Sequence, residues 1–242
     1  METNKQHVQL PNDMTTELTP QDLLIYISIK RYMNKDTKEA FPSINTIASK
    51  SGASVPTVRK CIRNLEESGY IEVVKINSRK QKYRFLKYTN FEPFSYDFLD
   101  KEDISFLEKS YIIASQQYMF KENNVGKISM TDIDLAKKIN MSNSTISRCN
   151  HSLSSKGYLD IVGCKQQGTG IVINEKFFHL NELGQAIIWT LQKHDEDLEK
   201  VKEKITENSK DVALLLNQIK ELKNNNEEQK KITKALMDRY DV

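Results

Sequence analysis

The sequence has little of what builds disulfide frameworks, metal centres or membrane spans. Only three of its 242 residues are cysteine (Cys61, Cys149 and Cys164), and their spacing follows no pattern. A structural zinc site needs four soft ligands in close pairs, so none is expected, and an odd, unpatterned set points to a reducing cytoplasm. The four histidines, His7, His151, His179 and His194, do not cluster with the cysteines, so neither a metal nor another cofactor is expected. No apolar run approaches the length of a membrane span, and "METNKQHVQLPND" has no apolar core of the kind a secretory signal requires. "QQGTG" lacks the Gly-Lys-Ser/Thr and the strand-to-helix setting of a phosphate-binding loop. With no nucleophile motif or acid pair either, an enzyme is not expected.

Strong net charge is also missing, but the balance of +3 hides a gradient. Residues 1–90 carry 15 Lys and Arg against 9 Asp and Glu, residues 91–178 carry 10 against 11, and residues 179–242 carry 11 against 13. The positive charge therefore lies in the first third, which bears on where an anionic partner would touch.

One pattern occurs twice. "SVPTVRKCIRNLEESGYIEVV" begins at Ser54, and "SNSTISRCNHSLSSKGYLDIV" begins at Ser142. In the first copy, Thr19, Pro20 and Asp22 open a helix, and Leu23, Leu24 and Ile27 give it an apolar stripe. Ser43 caps a second helix that ends at Gly52. Ser54 caps a third, whose inward face is Val58, Cys61, Ile62 and Leu65. "YIEVVKI", the turn "NSRK" and "QKYRFLKY" then read as a hairpin. In the second copy a helix capped at Asp100 is expected over "LDKEDISFLEKSYIIASQQYMF", followed by "MTDIDLAKKI", a turn at Asn140 and a third helix capped by Ser142, with Ile146, Cys149 and Leu153 inward. "YLDIVGC" and "GIVINEKFF" flank the turn "KQQGT". Caps, turn residues and core positions match between the copies, while the outward positions differ. The matched inward places of Cys61 and Cys149 favour core packing over redox sensing.

"FPSINTIASKSGASVPTVRKCIRNLEESGYIEVV" resembles the winged helix-turn-helix domains of bacterial regulators and of plasmid and phage replication proteins. The resemblance covers about residues 18–88 and extends to about 99–178, where the "PS" and the basic charge are missing. It implies DNA binding, with the third helix in the major groove. The expected contacts in the first copy are Ser54, Val55, Thr57, Arg59, Lys60, Arg63 and Asn64 on the helix, with Lys75, Arg79, Lys80, Lys82 and Arg84 on the wing. In the second copy they are Asn143, Ser144, Ser147, Arg148 and His151, with Lys165 and Gln166 on the wing.

From about Leu183 the pattern becomes heptads. Leu191, Leu198, Ile205, Val212, Ile219 and Asn226 fall at a, and Val201, Leu215 and Leu222 fall at d. β-branched residues at a, Leu at d and one Asn at a favour a parallel two-stranded coil. The expected fold is thus mainly α with small β-hairpin wings, divided into an arm (1–17), two winged helix-turn-helix domains (18–90 and 91–178) and a coiled-coil tail (179–242). The expected role is a dimeric transcription regulator that binds double-stranded DNA. A plasmid or phage replication or partition protein remains an alternative, as does a winged-helix adaptor that binds protein through the second domain or the tail.

Overall fold

The computed structural model describes residues 6–77, 81–86, 91–165, 172–183 and 186–240, with side chains for all of these except 164–165, 172–173, 186–197, 238 and 240. Met1–Thr190 form one compact unit and Leu191–Val242 another.

In the first unit, β1 (His7–Pro11) leads through a single turn, α1 (Met14–Glu17), into α2 (Pro20–Lys30). Thr19 and Asp22 close a reciprocal cap: the Thr19 hydroxyl accepts from the Asp22 N–H, and the Asp22 carboxylate accepts from the Thr19 N–H at 3.1 Å. That satisfies two amides that a helix start otherwise leaves open. α2 is buried from Asp22 through Lys30, as befits a helix apolar on most sides and surrounded by its neighbours. β2 (Glu39–Ala40), α3 (Ile44–Ser51) and α4 (Val55–Glu67) follow. Gly52 turns the chain between the last two at φ 76°, a left-handed conformation that a side chain resists. β3 (Ile71–Lys75) and β4 (Gln81–Phe85) form the hairpin, and β2 joins the other edge of β4. Tyr26, Ile47, Val58, Leu65, Tyr70, Tyr83 and Phe85 make the local core.

The second half runs β5 (Phe91–Ser95), α5 (Tyr96–Asp100), α6 (Phe106–Ser115), a 3-10 turn, β6 (Phe120–Glu122), β7 (Val125–Ser129), α7 (Asp132–Lys138), α8 (Asn143–Ser155), β8 (Leu159–Lys165) and β9 (Val172–His179). Its sheet has the order β6-β7-β9-β8. Asn140, at φ 51°, occupies the turn before α8 as Gly52 does before α4. The order of helices and closing hairpin thus recurs. A short helix, α9 (Leu180–Leu183), ends the stretch.

Three features differ from the sequence reading. Of the segment expected as an arm, residues 7–17 pack into the fold: β1 pairs with β5, and Val8, Leu10 and Met14 are buried. Asp100 does not cap the opening helix of the second half. Ser105 does, in a reciprocal pair with Glu108, while Asp100 ends α5 and accepts two 2.8 Å bonds from Arg31. That opening helix also stops at Ser115, because "FKENNVGKIS" forms the β6–β7 hairpin. Asn123 and Asn124 turn it at φ 47° and 64°, the positive-φ pair that a tight hairpin needs.

The described residues of the second unit belong to α10 (Ala186–Tyr240), a 55-residue helix about 80 Å long at the α-helical rise. Its seam residues with described side chains are exposed in the single chain, among them Leu198 at 57%, Ile205 at 62% and Leu222 at 68%.

Candidate nucleic-acid interface

α4 has two distinct faces. Val58, Cys61, Ile62 and Leu65 are buried against α2 and α3. Arg59, Lys60 and Arg63 point away from them and are exposed, without an ion-pair partner among the described residues. The start of the helix is fixed by Ser54, whose hydroxyl accepts from the Thr57 N–H at 3.3 Å and shares a 2.8 Å bond with the Thr57 hydroxyl. Pro56 adds a preset φ in the first turn.

Not every expected contact residue shares that outward face. Ser54 and Thr57 spend their hydroxyls on the cap. Val55 packs against the core. Asn64 turns to the Asp22 carboxylate, donating at 3.1 and 3.3 Å, and so ties α4 to the start of α2 instead of presenting its amide outward. Nothing local signals this contact, because Asp22 is accounted for as a helix-start residue and its second partner lies on another helix.

On the hairpin, Lys75 is exposed. Lys82 and Arg84 are engaged: Glu39, on the neighbouring strand, accepts from Lys82 at 2.8 Å and from Arg84 at 3.2 Å, and Glu72 accepts from Arg84 at 2.7 Å. The Lys82 hydrogen bond, with Arg84 beside it, holds the Glu39 carboxyl below the ordinary carboxylate range against the opposing effect of burial. Arg79 and Lys80 lie outside the described residues.

α8 repeats the construction with weaker charge. Ser142 caps it, accepting from the Thr145 N–H at 3.2 Å. Ile146, Cys149, Asn150 and Leu153 are buried. Asn143, Ser144, Arg148 and His151 are exposed, and Ser147 is half-buried. Arg148 reaches back to the Thr145 hydroxyl at 3.4 Å. Gln166 lies outside the described residues, as does the side chain of Lys165.

A polar network sits beneath α8. The fully buried Lys176 of β9 pairs with Asp132 at 2.9 Å. Asp132 also accepts from Asn150 at 3.1 Å, and Asn150 in turn accepts from the Tyr111 hydroxyl at 2.6 Å. It links β9, the start of α7, α8 and α6. Alternation along "GIVINEKFF" suggested a strand, but it did not show that the strand's lysine turns inward.

Positive charge also gathers outside α4 and the hairpin. A cavity of about 660 Å³ is lined by His7, Lys30, Arg31, Lys35, Lys38 and Tyr96, among others. The lining is drawn from β1, the end of α2, the loop after it and α5, segments distant in sequence.

Cys61 and Cys149 are buried. Burial, reinforced by Asp22, pushes the Cys61 thiol far above its usual range, and burial beside Glu108 pushes the Cys149 thiol up to about 11. Both are therefore inert core residues at neutral pH. The side chain of Cys164 is outside the described set. Among the described residues no helix is long and apolar enough to cross a membrane, and no three His, Cys, Asp or Glu side chains are grouped to hold a metal ion.

Comparison with curated proteins returns no match. Residues 16–71, which run from the end of α1 through α2, α3 and α4 to the first residue of β3, match the model of a family described as a helix-turn-helix domain, so this part of the chain carries a helix-turn-helix domain.

Proposed function

We propose that the protein is a dimeric, sequence-specific binder of double-stranded DNA that regulates transcription. The observation that carries this reading is α4 itself: a capped helix inside the helix-turn-helix match, buried on one face and presenting Arg59, Lys60 and Arg63 on the other. A helix held this way lies in the major groove, where an arginine reads guanine with two hydrogen bonds. Lys75 on the hairpin meets the phosphate backbone. The second half is a second winged helix-turn-helix. Its α8 offers short polar groups, Arg148 and His151, so it adds base contacts more than phosphate attraction.

The tail pairs two chains. Leu198, Val201, Ile205, Val212, Leu215, Ile219 and Leu222 form one exposed seam on α10. Asn226, at a buried a position of a parallel pair, favours two strands in a single register. Leu191 begins the same series, and its side chain is outside the described set. Pairing raises affinity by making the second binding event intramolecular.

The test is duplex binding by the full chain over a range of salt. Each phosphate neutralised lowers the log–log slope by roughly 0.9, so binding should weaken steeply between 50 and 200 mM salt, on the scale typical of phosphate-contacting proteins. Failure to retain any duplex at low ionic strength would sink the reading. Sequencing the retained genomic fragments separates regulation from replication: sites beside promoters support the former, and tandem sites at an origin the latter.

A further inference from the structure

The two halves of the first unit meet through corresponding elements. β1 opens the first half and β5 the second, and they pair with each other, antiparallel. Gln9 faces Pro93 at the centre, with His7 opposite Ser95 and Pro11 opposite Phe91 at the ends. Exchanging the two strands leaves this ladder unchanged. α2 and α6, the first long helix of each half, pack against one another. The polar contacts beside them exchange in the same way. Arg31, just past α2, grips Asp100 at the end of α5, the short helix after β5. Gln117, just past α6, accepts at 2.7 Å from Thr15 in α1, the short helix after β1. A two-fold relation places like against like, whereas a head-to-tail relation would set unlike elements in contact.

We infer that α4 and α8 are related by an approximate two-fold within one chain, and that a single chain takes a duplex whose two arms are inverted with respect to each other and different in sequence. This rests on the reading of α4 and α8 as groove-entering helices. Readers related by a two-fold axis match DNA arms related by one, because each then meets its own strand in the same polarity. The arms differ because the outward residues differ: Arg59, Lys60 and Arg63 on α4 against Asn143, Arg148 and His151 on α8. The strand ladder and the buried helix pair hold the two readers at a set separation, so spacing between the arms matters as well as their sequence.

Enrichment of random duplexes on the full chain, followed by footprinting, tests this. The parent is compared with Arg59→Ala/Arg63→Ala and Arg148→Ala/His151→Ala, each first shown to keep the parent near-ultraviolet circular dichroism. The expected site has two dissimilar inverted arms, each double variant loses protection at one arm only, and reversing one arm in place lowers affinity at least tenfold. Arms in direct orientation, a site lost entirely with the α4 variant, or an α8 variant that protects both arms would overturn the inference and leave DNA binding standing. Recovery of no duplex would overturn the DNA reading, and the inference with it.

Discussion

Lys176 has no exposed surface, and its ammonium is held by the Asp132 carboxylate at 2.9 Å with the Met130 carbonyl at 3.3 Å. Asp132 is better placed to survive alone, because its side chain keeps 18% exposure and the Asn150 amide. The two single substitutions should therefore be unequal. Asp132→Ala strands a buried charge, a change that typically costs about 3–5 kcal/mol. Lys176→Met leaves a carboxylate that water and Asn150 still reach, so its cost should stay near the 1–3 kcal/mol of an ordinary lost partner. The double variant, Asp132→Ala with Lys176→Met, removes both charges and should recover most of the larger loss. With a urea dependence of roughly 2–3 kcal/mol per molar, the Asp132→Ala loss would lower the midpoint by about 1–2.5 M. Urea unfolding followed by near-ultraviolet circular dichroism reads this out. Equal losses in the two single variants, or strict additivity in the double, would refute the reasoning that the lysine's burial sets the scale.

Burial acts to raise the Glu108 carboxyl, but hydrogen bonds from Lys156, Ser152 and Ser105 outweigh it and hold the group at about 2. With its folded pKa depressed, the group's contribution to stability is complete above about pH 4.5 and is lost as pH falls towards 2; the urea midpoint of Glu108→Gln should therefore be flatter than the parent's below pH 5. Lys30 behaves oppositely in sign, since burial and then the charge of Lys38 lower it to about 8. The unfolded chain binds the extra proton between about pH 8 and 10.5, so this group makes stability rise with pH across that window, and Lys30→Met should remove that slope. In sedimentation, Ile219→Lys with Leu222→Lys should turn a dimer into a monomer, because two charges at seam positions would have to be buried; a persistent dimer would place the pairing surface outside α10.

What the sequence showed was mostly local. Thr19, Ser43, Ser54 and Ser142 each cap the helix that follows, because a cap is decided within three residues. Gly52 and Asn140 take the left-handed turns for the same reason. The inward faces of α4 and α8 followed from helical spacing. What stayed hidden depends on partners far along the chain. "HVQLP" and "FEPFS" are short and contain proline, so neither reads as a strand until the other lies beside it. The site was legible to the same degree: spacing placed Arg59, Lys60 and Arg63 outward, but only packing shows Asn64 turned to Asp22 and Lys82 and Arg84 drawn to Glu39. The β6–β7 hairpin had a visible signal in "NN", masked by the apolar spacing of the preceding helix.

The most direct measurement is a shift assay with Arg59→Ala/Arg63→Ala on the duplex enriched by the parent. Both residues are exposed, so the fold should be kept, while each lost base contact costs about 1–3 kcal/mol and the pair lowers affinity by about thirtyfold or more. Parent-like affinity in a correctly folded variant would contradict the assignment of α4 as the helix that reads DNA.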